Sequence, residues 1–62
     1  MQVGDLIMDH ALDRTGIIVA RLMPRIVSRS KGPVVRDYYR ALYEDGLMER
    51  VCADDWNIEV VS

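Results

Sequence analysis

The sequence predicts an all-β protein: a single small barrel of five short strands, one domain covering residues 1–62. Three observations carry that prediction. Aliphatic, β-branched and aromatic residues come in short runs of strand length rather than in long helical stripes. Asp, Gly, Pro and Ser separate the runs, and these are the residues of tight turns. The run Tyr38-Tyr39-Arg40-Ala41-Leu42-Tyr43 leads through Glu44 into Asp45-Gly46, and Leu47-Met48-Glu49-Arg50-Val51 follows at once. Two strand-like runs about an Asp-Gly pair are the strongest local signal of a β-hairpin.

The first strand is expected over residues 3–8, with Gly4 near its start, and residues 9–14 read as a polar loop. Thr15-Gly16 launches the second, over 17–23, whose opening Ile17-Ile18-Val19 is dense in β-branched residues. Pro24 has no amide hydrogen to give a ladder and ends or bends that strand. Residues 25–35 hold Ser28, Ser30, Gly32 and Pro33 and read as an exposed hairpin loop, with Ile26-Val27 and Val34-Val35 as strand ends. A third strand over 34–43 puts Val35, Asp37, Tyr39, Ala41 and Tyr43 on one face and Arg36, Tyr38, Arg40 and Leu42 on the other. A helix over 37–49 would align Tyr38, Ala41 and Leu42 on one stripe, but Gly46 and the tyrosines speak against it. The chain reverses at Asp45-Gly46, where glycine supplies a positive φ and aspartate tolerates one. The fourth strand covers 47–52. Ala53-Asp54-Asp55-Trp56 forms one short turn, and the fifth strand covers 58–61 with Ile58 and Val60 inward and Glu59 outward. The expected core is Ile18, Ala20, Leu22, Ala41, Val51, Ile58 and Val60.

A chain of 62 residues lies near the lower limit for folding alone, and small domains often gain stability from self-association or from a partner. Half of the residues are hydrophobic, enough for a core, but with no Phe the core must rest on Ile, Val, Leu and Met. Eight basic against ten acidic residues leave a net charge of −2, which is not the composition of a polyanion-binding domain. Seven of the eight basic residues are Arg, a bias that suits bidentate and stacked contacts at protein interfaces. The single Cys52 cannot form an internal disulfide, which fits a reducing compartment or a particle assembled inside a cell; it reads as a small buried hydrophobe. No run approaches the length needed to span a bilayer, and no signal peptide is apparent, so neither membrane nor export is expected.

The motifs Gly4-Asp5-Leu6-Ile7, Thr15-Gly16-Ile17-Ile18-Val19, Tyr39-Arg40-Ala41-Leu42-Tyr43-Glu44-Asp45-Gly46 and Asp54-Asp55-Trp56-Asn57-Ile58-Glu59-Val60-Val61, in this order, resemble a recurring kind of small protein of tailed bacteriophages, common in marine and cyanobacterial phages. Those proteins are SH3-like β-barrels with the pattern G-D-L-V, G-[IV]-[IV]-V, Y-x-V-x-W-x-D-G and a terminal D-L-x-V-I. The likeness runs from Gly4 to Val61. Here Ala41 and Tyr43 stand where the pattern has Val and Trp, and residues 23–35 have no counterpart in it. The resemblance implies a tight start of the second strand at Gly16, a distal hairpin at Asp45-Gly46 and a single 3₁₀ turn at Asp54-Asp55-Trp56. Its motifs are structural, and no catalytic residue comes with them.

The residues offer no catalytic machinery either. His10 with Asp9 and Asp13 makes a D-H-x-x-D group, but without a second His or Cys at ligand spacing it reads as solvated loop charge, and no metal is expected. Asp54-Asp55 and Glu59 lack the pocket that general acid–base work needs. No nucleophile elbow surrounds Ser28 or Ser30, and the four glycines lie too far apart to cradle a phosphate.

The strongest candidate for function is the basic segment Arg21, Arg25, Arg29, Lys31 and Arg36, with no acid between Arg14 and Asp37. With Met23, Ile26 and Val27 it joins positive charge to aliphatic rather than aromatic residues, which favours protein docking over base stacking. Arg21, Met23, Arg25, Ile26, Val27, Arg29, Lys31 and Arg36 are therefore the expected partner-binding residues. The chain reads as a non-enzymatic module of a phage virion: a capsid decoration (cement) subunit or a head-to-tail or tail component. Its expected partners are other virion proteins and copies of itself, and no cofactor is expected. The alternative reading is a small nucleic-acid-binding or host-regulator-binding barrel made during infection.

Overall fold

A computed structural model describes residues 1–29 and 32–61, with side chains placed for 1–26 and 32–61. The described residues are all-β and contain no helix. Among the described residues there are seven strands rather than five: β1 (Leu6–Asp9), β2 (Arg14–Arg21), β3 (Arg25–Arg29), β4 (Gly32–Arg36), β5 (Tyr38–Tyr43), β6 (Met48–Cys52) and β7 (Ile58–Val60). Five of them form one antiparallel sheet in the order β6-β5-β2-β1-β7, curled into a half-barrel. The remaining pair, β3 and β4, is a separate two-stranded ribbon. The extra strands arise because the long segment after Pro24 pairs fully with itself, and because the expected third strand breaks at Asp37 between β4 and β5.

The interior is Ile7, Ile18, Tyr39, Ala41, Tyr43 and Val51, with Met1, Ala53 and Ile58 packed against it. Three of the expected core positions are thus buried, and the others are not. A β-bulge between Ile18 and Ala20 shifts the register against β5, so Ala20 pairs with the exposed Arg40 and is only half-buried. Leu22 is likewise half-buried, just beyond the end of β2. Ile58 and Val60 do share the inner face, opposite Asp9 and Ile7, but β7 is an edge strand and leaves Val60 exposed and Ile58 half-buried. Two tyrosines fill the space those residues were expected to fill. Cys52, expected to be buried, is also only half-buried.

Turn chemistry sets the register. At the β5–β6 turn the amide of Gly46 donates to the carbonyl of Tyr43 (2.9 Å), that of Tyr43 donates to Leu47 (2.8 Å), and Gly46 has φ +85°. This is a three-residue loop closed by a glycine bulge, not a two-residue turn with positive φ at both positions, and Asp45 instead accepts the Leu47 amide at 3.0 Å. Gly16 lies within β2, opposite Tyr43, and not at the strand's start. A Cβ there would come within 2.8 Å of the Tyr43 ring, so glycine is what lets the ring lie flat on the sheet. Residues 52–58 make two successive turns, the Asp55 amide donating to Cys52 (3.1 Å) and that of Ile58 to Asp55 (3.0 Å).

Candidate docking surface

The β3–β4 ribbon leaves the sheet through Leu22-Met23-Pro24 and returns through Asp37. Its register places Arg25 opposite Arg36, Ile26 opposite Val35, Val27 opposite Val34 and Arg29 opposite Gly32. Because side chains alternate, Ile26, Pro33 and Val35 share one face, and Arg25, Val34 and Arg36 share the other. Ile26 and Val35 are 71% and 61% exposed, and Met23 at the base is 86% exposed. The Cα radius of gyration is 12.3 Å, against about 10.6 Å for a compact chain of this length. The longest dimension is 38 Å against 21 and 20 Å for the other two. The ribbon is therefore a projecting arm with one apolar and one basic face.

Arg25 and Arg36 face each other across the ribbon, an arrangement of like charges that destabilises a strand pair. Arg36 is partly neutralised by Asp54, 3.5 Å away. Arg21 lies 3.7 Å from Asp37. Two of the expected partner-binding cations are thus held at the base of the arm by carboxylates of the chain itself, while Arg25 has no ion pair among the described residues. Lys31 lies outside the described residues, as do the side chains of Val27 and Arg29.

At the opposite end of the sheet, an ionic group that sequence reasoning did not assemble ties two turns together. The carboxylate of Asp9 is buried and accepts the amides of Ala11 (3.0 Å) and Leu12 (3.3 Å), and its Oδ2 lies 3.4 Å from Arg14 Nε. Arg14 Nη1 reaches Glu49 at 2.8 Å and Asp45 at 3.8 Å, while its guanidinium lies 3.7 Å from the centre of the Tyr43 ring. The hydrogen bond from Arg14 holds the Glu49 carboxyl below the usual carboxylate range. Burial pushes the Tyr43 phenol up. The buried Tyr43 hydroxyl has no well-formed hydrogen bond among the described residues, since Arg14 covers the ring face instead. Asp9 and His10 therefore serve separate contacts, with His10 Nε2 2.7 Å from Glu59 on β7. Three carboxylates surround Arg14, but among the described residues no group of three or more His, Cys, Asp or Glu side chains is arranged to hold a metal ion.

The outer face of the sheet carries a second surface. Leu6, Ile17 and Leu42 line a shallow, open depression of about 330 Å³. Trp56, in the turns before β7, is 88% exposed. Exposed tryptophan is a frequent interface anchor, and the only signal for it in the sequence is its place among Asp54, Asp55 and Asn57. No family model, curated protein or solved structure matches the chain.

Proposed function

We propose that this protein is a non-enzymatic binding module whose β3–β4 arm docks onto another protein, as a decoration, connector or tail subunit of a tailed-phage particle. The observation that carries the docking role is the arm itself: exposed Ile26 and Val35 on one face, and Arg25 opposite Arg36 on the other. Placing two arginines against each other weakens the isolated ribbon, and an acidic partner surface would offset that cost. Pro24 and Pro33 restrict the arm at its base and near its turn, which lowers the entropy lost on docking. The SH3-like reading draws support from the strand order, a meander β1-β2-β5-β6 whose final strand returns to pair with β1. The particle setting rests on the resemblance of the four motifs.

Mass spectrometry of purified particles tests the setting, with the chain expected in many copies per particle. Its absence from particles combined with abundance early in infection would favour the regulator-binding alternative. The double variant Arg25→Glu/Arg29→Glu tests the arm. It is expected to fold as the wild type does and to be lost from particles, whereas normal incorporation would place the binding face elsewhere.

A further inference from the structure

We propose that the outer face of the five-stranded sheet pairs with the same face of a second copy, forming a weak two-fold dimer. This inference does not depend on the arm or on the particle setting. It begins with a row of directly opposed residues. Leu6 pairs with Ile17, Ile17 with Leu42 and Leu42 with Met48, and the amide of Val61 bonds the Leu6 carbonyl at 2.9 Å. One apolar residue from each of five consecutive chain crossings thus forms a continuous stripe on the face that turns away from the core. Leu6, Ile17, Met48 and Val61 are all exposed, and the depression lies along the middle of the stripe.

Opposite charges border this stripe on its two sides. Towards the β1–β2 and β5–β6 turns the next row holds Glu59, Met8, Thr15 and Glu44, with the Thr15 hydroxyl donating to Glu44 at 2.8 Å. Towards the arm the next row holds Ala20, Arg40 and Arg50. Arg40 on β5 and Glu44, one residue past its end and still bonded to Thr15 (3.1 Å), therefore stand two residues to either side of Leu42.

The position of the charges selects the symmetry. Two copies packed face to face about a two-fold axis along the stripe bring Leu42 against Leu42 and Glu44 of each copy against Arg40 of the other. An axis along β5 would instead set Glu44 against Glu44 and Arg40 against Arg40. Only the first arrangement is self-complementary, as an isologous interface requires. Five strands and three rows offer at most roughly 450 Å² of face at ordinary strand spacings, less where the curl carries the edge strands away, and well below the ~800 Å² per partner of a standard stable interface. The dimer is accordingly weak, with dissociation in the micromolar-to-millimolar range.

Sedimentation equilibrium on the purified full chain, from about 10 μM to about 1 mM, tests the proposal. The wild type is expected to dimerise within that range. Arg40→Glu and Glu44→Arg, each alone, put like charges across both symmetric contacts and should weaken self-association roughly tenfold or more. A 1:1 mixture of the two single variants should recover a heterodimer, and the double variant Arg40→Glu/Glu44→Arg should recover the homodimer. Both positions are exposed, so the variants are expected to keep the wild-type circular dichroism spectrum. A wild type that stays monomeric at 1 mM, single reversals without effect, or a mixture that fails to recover association would each overturn the dimer. None of these results bears on docking by the arm, which the particle experiments read separately.

Discussion

The ring of Tyr43 lies over Gly16, and the space a side chain would need at that position is already taken by the ring and by the Leu42 carbonyl. Gly16→Ala is expected to cost about 1–3 kcal/mol, since the ring or the β2–β5 pairing must shift to admit one methyl group. Chemical denaturation checks this, and an unchanged midpoint would mean the ring moves away freely. Ile18 is the complementary case, a side chain 1% exposed at the centre of the sheet. Ile18→Ala should cost about 2–5 kcal/mol, a large share of the stability of so small a domain. A loss below about 1 kcal/mol would contradict its place in the core. Alternation in the sequence correctly put Ile18, Ala41 and Val51 inside. It failed at Ala20 and Leu22 because one bulge in β2 breaks the period of two, and nothing in Ile18-Val19-Ala20 announces a bulge.

Among the elements, turns were more legible than strand boundaries. Gly46 marks the β5–β6 reversal because its positive φ is a local property of one residue. The pairing of β3 with β4 was only half visible: Ile26-Val27 and Val34-Val35 were readable as strand ends, while the full register depends on cross-strand bonds that composition does not encode. The Asp9–Arg14–Glu49 group escaped sequence reading for a similar reason. Its members come from β1, β2 and β6, and only the folded sheet brings Glu49 beside Arg14. That group has a pH signature. Because the folded state holds the Glu49 carboxyl below its ordinary value of 4.5, its contribution to stability is present above that value and is lost as pH falls through the lower, folded-state value. Thermal midpoints are therefore expected to drop on acidification below about pH 4.5, and the Glu49→Gln variant should show a shallower drop. Equal slopes for the two proteins would remove Glu49 from the account.

At the scale of the whole molecule, the chain divides its residues between a half-barrel that makes the core and an arm that, among the described residues, contributes no side chain to it. The buried residues all come from β1, β2, β5 and β6, and the arm's two strands are hydrogen-bonded to each other in a sheet of their own. The proposed binding role therefore falls on a segment whose sheet is separate from the one that makes the core. The arm was legible through its charge and its missing counterpart in the resemblance, since an acid-free stretch from Arg14 to Arg36 that contains both prolines is visible without any structure. Trp56 and the outer apolar stripe were not legible as exposed surfaces, because exposure of a tryptophan or a leucine depends on how the sheet curls. The most direct measurement replaces residues 25–36 with a short glycine-containing turn and follows both roles in the same variant. The account predicts that the ¹H–¹⁵N spectrum of β1, β2, β5 and β6 keeps its dispersion and that the shortened chain is absent from purified particles. A shortened chain that unfolds, or one that enters particles at the wild-type copy number, would contradict it.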